Sequence, residues 1–178
     1  AATNAPDETV ISGEAAAVRA AQDAFERQSV RVRPLTVSHA FHSPLMDPML
    51  PEFLKAVEPV ERHAPRLSVV STVSGVTADA EFGTARYWAE QIRAPVRYAD
   101  AARSMAASGV SLAIEIGPHP ILTGLLASNG VAAWPVPSLR RGRGGWRTML
   151  TAGGEIFVRG AGDDWGGGDG GPRRGGGG

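Results

Sequence analysis

Val37-Ser38-His39-Ala40-Phe41-His42-Ser43-Pro44-Leu45-Met46 joins two kinds of sequence pattern, and the joint sets the fold class. Upstream, Val32 to Val37 contains the alternating apolar residues of a half-buried strand. Downstream, Ser43-Pro44 is a helix start: serine is a good N-cap, and proline suits the first helical position, where its missing N–H costs nothing. A strand giving way to a helix is a place where side chains can face a cleft. His42 stands immediately before the cap, with His39 three residues upstream. Histidine has an ordinary pKa of about 6.5 and can take and return a proton near neutral pH. On pattern alone, a histidine that only hydrogen-bonds the backbone at the start of a helix is the reading to prefer, since neither a pocket nor a partner nucleophile is visible.

Moving outward, Asn4 to Asp7 is rich in turn formers and Thr9 to Ser12 reads as a short strand. A helix follows, capped by Ser12 or Gly13, with Ala17, Val18, Ala21, Ala24 and Phe25 on one apolar face. The chain then returns as the strand Val30 to Val37. Strand, helix, strand predicts an α/β fold rather than a bundle. The helix begun at Ser43 is expected to run through Phe53 and Val57 towards Pro59, with Pro48 and Pro51 bending it or delaying its regular part.

Leu67 to Val73 is β-branched and reads as a strand ended by Ser74-Gly75. Tyr87 to Ile92 reads as a helix closed by Pro95, and a second helix runs from Tyr98 to a stop at Gly109. Leu112 to Ile116 is a nearly continuous apolar strand, the pattern of one buried on both faces of a parallel sheet. It ends in Gly117-Pro118-His119-Pro120, a turn predicted to lead into an apolar helix over Ile121 to Ala127. Ligands gather at the carboxyl ends of such strands in doubly wound sheets, which makes this turn a candidate cleft wall. Val131 to Val136 is a candidate last strand and Trp146 to Val158 a last helix, weakened by Gly153-Gly154. Residues 161–178 are dominated by glycine and are expected to be a disordered tail.

Composition narrows the classes. The 178 residues suit one domain or one domain with an appendage, and 43% of them are apolar, enough for a core. Eighteen basic and eighteen acidic residues cancel, so no global field draws the chain to nucleic acid or to a membrane. The arginine- and glycine-rich stretch Leu139 to Gly145 raises a nucleic-acid reading, which the few arginines and sparse aromatics do not support. No cysteine is present, so there is no disulfide frame, no thiolate nucleophile and no sulfur-ligated zinc. Neither a secretory leader nor a membrane-length apolar run is found, and a cytoplasmic location is expected. His39, His42 and His119 lack a carboxylate at ligand spacing to complete a metal site, and His63 reads as a solvated loop residue.

Three blocks, Ser38 to Met46, Tyr87-Trp88 with Pro95 to Tyr98, and Glu115 to Leu122, stand in an order and spacing that resemble the acyltransferase domain of modular type I polyketide synthases. The resemblance runs from Ala1 to about Gly160. It implies residues 1–40 as part of a ferredoxin-like small subdomain and residues 41–160 as the C-terminal part of an α/β-hydrolase-like large subdomain. It implies transfer of a malonyl group from coenzyme A to the phosphopantetheine thiol of an acyl carrier protein, with no directly bound cofactor. Neighbouring synthase domains, a ketosynthase and its linker, are the other implied partners. His42 would be the general base, and Gln91 falls where the family places a residue whose backbone carbonyl orients it. His39, Ala40 and Phe41 match the form that goes with malonyl rather than methylmalonyl units: a phenyl ring at position 41 fills the space an extra methyl would need. The departure is the nucleophile. No Gly-His-Ser-x-Gly elbow occurs, and Ser111, the nearest thing, begins a strand rather than ending one. The expectation is a chain that carries the base without the serine, either a working portion of a larger acyltransferase or an inactive structural remnant of a synthase.

Overall fold

Residues 1–160 are described by a computed structural model. Pro6 and Asp7 turn the chain between β1 (Ala2–Ala5) and β2 (Glu8–Val10), an antiparallel pair with Ala2 opposite Val10 and Thr3 opposite Thr9. Helix α1 (Ala15–Arg27) follows, without a side-chain cap from Glu14 and with no buried residue. Its expected apolar face is therefore open, and Phe25 is 43% exposed.

The strand predicted over Val30 to Val37 does not form. Alternation marks which side chains share a face, but a strand exists only where a neighbour completes its ladder. No described segment pairs with residues 30–37, and Leu35 and Val37 are exposed. For the same reason Leu67 to Val73 reduces to one bridge, Val70 against Thr77. The helix start at Ser43 forms as read: Ser43 Oγ accepts the Leu45 N–H at 3.3 Å. Its two later prolines delay it, so a 3-10 turn (Pro44–Met49) precedes the regular helix α2 (Leu50–Val57).

The described chain forms two compact units, residues 1–110 with 125–132, and residues 111–124 with the chain from Ala133 onward. In the first unit α3 (Ala85–Arg93) and α4 (Tyr98–Ala107) meet at Pro95, and the core gathers on α4. Tyr98, Ala99, Ala101 and Ala102 are buried there, with Ala89, Leu126 and Val131. Small side chains let the neighbouring backbone come close. A Cβ at Gly75, which has φ +79, would lie 2.4 Å from the Asp100 Cβ, so only glycine fits. Asp100 is itself paired with Arg97 and Arg103; the Arg97 hydrogen bond, at 2.6 Å, is the main reason its carboxyl is held below the usual range.

In the second unit β3 (Leu112–Glu115) and β4 (Trp134–Pro137) form a parallel pair in which Ile114 faces Val136. The expected burial on both faces is absent: Ile114 is 48% and Ile116 89% exposed. A ladder partner lies at a strand's edge and covers neither of its faces, which only packed helices or a second sheet can do. Helix α5 (Gly145–Val158) packs on β4, burying Val136 and Ala152, and passes through Gly153-Gly154 unbroken. The Arg159 guanidinium stacks 3.6 Å over the Trp134 ring. The helix predicted over Ile121 to Ala127 is replaced by two 3-10 turns (Thr123–Leu125 and Ala127–Asn129). The Leu125 carbonyl takes the Asn129 side chain at 2.9 Å, while the Asn129 N–H turns to Leu126, so the regular i to i+4 pattern is lost. The glycine-rich tail expected over 161–178 lies outside the described residues.

Candidate active site

The position of His42 is decided by how α3 ends. Thr84 starts that helix, its Oγ1 accepting the Tyr87 N–H at 3.0 Å. The Tyr87 hydroxyl bonds Ser71 Oγ at 2.8 Å, and its ring packs against Phe82 and Trp88. At the other end Pro95 has no N–H to give the Gln91 carbonyl. Val96 N–H turns to Ala1 and Arg97 N–H to Thr72. Carbonyls at a helix C-terminus need outside donors. His42 supplies two: its backbone N–H reaches Ile92 O at 2.9 Å, and its ring Nδ1 reaches Ala94 O at 2.8 Å.

The second of these bonds fixes chemistry. A carbonyl oxygen only accepts, so Nδ1 carries the proton and the neutral ring presents its lone pair at Nε2. The orienting carbonyl is Ala94's, not that of Gln91, which lies a turn earlier on α3. Ala94 is extended, with ψ 153, and this swings its carbonyl out of the helical direction and towards the ring. Ala94 is not a residue the sequence singles out: Pro95 marks that carbonyls near it go short of donors, but not which of them the ring takes.

His42 pays for this placement in backbone conformation, with φ +61, a left-handed value that costs a non-glycine residue about 1–2 kcal/mol. Side chains on both sides pin it. The buried Ser43 hydroxyl donates to the Ala40 carbonyl at 2.7 Å, and the Ser12 hydroxyl donates to the Phe41 carbonyl at 2.6 Å. His39, whose Nδ1 lies 3.0 Å from Ser38 Oγ, sits edge-on to Phe41 with ring centres 6.0 Å apart, and Phe41 lies 6.4 Å from His42. The structure therefore brings His39, Phe41 and His42 together, with Phe41 46% exposed.

The turn after β3 is built separately. Glu115 Oε1 accepts the N–H groups of Ile121 and Leu122 at 2.9 and 3.1 Å, and Oε2 accepts the N–H and hydroxyl of Thr123 at 2.9 and 2.8 Å. Burial pushes this carboxyl up, but the four donors, Thr123 and Ile121 foremost, outweigh it and hold the group below the usual range. His119 is exposed, with the Arg141 N–H 3.4 Å from its Nδ1, and makes a turn contact. Ser111 opens β3 with its carbonyl bonded to Trp134 N–H, an ordinary ladder role. Among the described residues no three His, Asp or Glu side chains converge as metal ligands.

Comparison with known proteins gives the family and the fold. The acyl transferase domain family matches residues 1–162. The chain is 45% identical over 169 residues to the phenolphthiocerol synthesis polyketide synthase type I Pks15/1 of Mycobacterium marinum, a match covering 93% of this chain and 8% of that protein. Among solved structures, the acyltransferase domain from the second module of the salinomycin polyketide synthase superposes with a TM-score of 0.87 at 38% identity, over 93% of this chain and 39% of that one. The malonyl-CoA:acyl carrier protein transacylase of Xanthomonas oryzae superposes with a TM-score of 0.67 at 27% identity, over 79% of this chain and 44% of that one. The chain thus spans a small share of the synthase it matches and less than half of each solved domain. It has the acyltransferase fold, and it belongs to the acyl transferase domain family.

Proposed function

We propose that this chain carries the base side of an acyltransferase that moves malonyl groups from coenzyme A to an acyl carrier protein during polyketide assembly. The observation that carries the reading is the His42 ring, whose Nδ1 is tied to Ala94 so that Nε2 is the proton acceptor. In the first half-reaction a serine hydroxyl gives its proton to Nε2 and attacks the thioester carbonyl of malonyl-coenzyme A. The C–S bond breaks, and the coenzyme A sulfur leaves with the proton from Nε2. In the second, the phosphopantetheine thiol gives its proton to Nε2 and attacks the serine ester, and serine leaves reprotonated. The serine belongs to the part of the domain outside these 178 residues, which contain no Gly-His-Ser-x-Gly elbow.

His39, Ala40 and Phe41 form the selectivity wall in this proposal. The partly exposed phenyl ring occupies the volume that a methyl branch on the extender unit would need, and such a contact discriminates by about 1–3 kcal/mol. Residues 1–40 contribute to a ferredoxin-like small subdomain and 41–160 to the large one. Coenzyme A thioester and carrier-protein phosphopantetheine are substrates, a ketosynthase and its linker are neighbours, and the reaction belongs in the cytoplasm. No helix among the described residues is long and apolar enough to cross a membrane.

The test is labelling with radioactive malonyl-coenzyme A, the chain being mixed with a separately expressed portion of the domain that supplies the serine. The expected result is label on the serine-bearing portion only in the mixture, lost with His42→Ala. A folded mixture that takes up no label would instead indicate an inactive remnant.

A further inference from the structure

Ser12 lies 29 residues from Phe41 in sequence, yet its hydroxyl donates to the Phe41 carbonyl at 2.6 Å. The Phe41 carbonyl belongs to the peptide unit that leads into His42, the one residue of the 38–43 segment held at positive φ. That segment has no ladder or helix of its own to hold it. Its fixed points are the Ser43 hydroxyl on Ala40, the two bonds from His42 to the end of α3, and Ser12. Three of these four lie on the segment itself or grip His42 directly. Ser12 alone comes from the turn between β2 and α1, and it fixes the plane of the peptide on which the left-handed φ depends. Without it, the Phe41–His42 peptide is held only at its N–H end, by the bond from His42 N–H to Ile92 O, and the tilt of its plane, on which the aim of the Phe41 ring and of His42 Nδ1 depends, loses its second fixed point.

We propose that Ser12 is a positioning residue: its hydroxyl keeps His42 in the left-handed conformation that points Nδ1 at Ala94, and so keeps Nε2 aimed at the reacting groups. The kinetic side of this inference rests on His42 being the base. The structural side does not.

The experiment has two arms. In the first, the 178-residue chain is labelled with nitrogen-15 and the ring shifts of His42 are read in wild type, Ser12→Ala, Ser12→Thr and Ser104→Ala. Ser104 is the matched control, because its hydroxyl also donates to a carbonyl at 2.6 Å, that of Gly75, away from His42. Wild type is expected in the Nδ1–H form, Ser12→Ala in a mixture of the two tautomers, and Ser12→Thr and Ser104→Ala as wild type. In the second arm, the mixture that transfers malonyl is assayed with the same variants. Ser12→Ala is expected to lower kcat about tenfold with KM unchanged, and Ser12→Thr to restore it, the size expected for one lost hydrogen bond.

An Ser12→Ala chain whose ring shifts and kcat match wild type overturns the proposal. Should Ser12→Ala fail to fold, Ser12→Cys, a weaker donor, takes its place, and wild-type ring shifts there overturn it equally. His42→Ala separates the two readings. If it leaves transfer intact, the base assignment fails while the ring shifts still decide the role of Ser12.

Discussion

Two loops of this chain solve the same problem by opposite means. Residues 38–43 and residues 117–123 are both largely irregular, and both must satisfy backbone groups without a ladder. The first is held by neutral partners: carbonyls at the end of α3 and two serine hydroxyls. The second is held by one carboxylate, Glu115, on which three N–H groups and a hydroxyl converge. A charged anchor is stronger per bond but exists only while it is ionised. A neutral anchor holds at any proton count, and at His42 it occupies one ring nitrogen and leaves the other to work. Under the proposed function the first loop handles the proton, while the second keeps its shape.

The largest effect should come from the working nitrogen. In the assembled acyltransferase His42→Ala is expected to slow malonyl transfer about 10²–10⁴-fold, the usual range for losing a general base, with rapid-quench labelling as the readout. Retention of half the rate would break the contrast at its functional end. Next is Glu115→Ala, which leaves the donors of 121–123 without their acceptor. It should lower unfolding free energy by about 1–3 kcal/mol in denaturant titrations.

Glu115→Gln sharpens the same point by pH. Because the folded carboxyl titrates below its ordinary value of 4.5, its contribution is complete above that value and is lost as pH falls through the folded one. The gap between wild type and Glu115→Gln should therefore be open at pH 7 and close in acid. A constant gap would mean that the charge is irrelevant. The smallest effect concerns φ at position 42. Both His42→Gly and His42→Ala lose the ring, but glycine accepts φ +61, so the glycine variant should be the more stable by about 1 kcal/mol. Equal melting curves would show that the left-handed conformation is not retained once the ring is gone.

Much of the frame was legible because it rests on local chemistry. Pro95 closes α3, Gly109 with φ +74 follows α4, and Ser43-Pro44 opens the 3-10 turn before α2. Helices write their ends into a few residues. The strand over 30–37 was misread because pairing is not local: the pattern shows a face but not a partner. The turns at 121–129 were misread as a helix because Glu115 and Asn129 divert backbone groups through side chains. In the site, the His39 and His42 pair could be seen in its spacing, while Phe41 entered through the family resemblance. The grip of Ala94 and Ser12 could not, since each is a long-range bond to a backbone atom that any residue type possesses.

The parallel pairing of β3 with β4 bears on how the molecule comes apart. Parallel neighbours cannot be joined by a hairpin, and here the crossover includes residues 125–132, which belong to the first unit. Neither unit is a continuous length of chain, so neither can be excised by one pair of cuts. Melting of the first unit frees the crossover and lengthens the flexible loop that the β3–β4 ladder must close, which raises the entropic cost of keeping that ladder. Limited proteolysis between Gly124 and Ala133 should accordingly loosen the β3–β4 ladder, because a cut there leaves its two strands without the crossover that joins them.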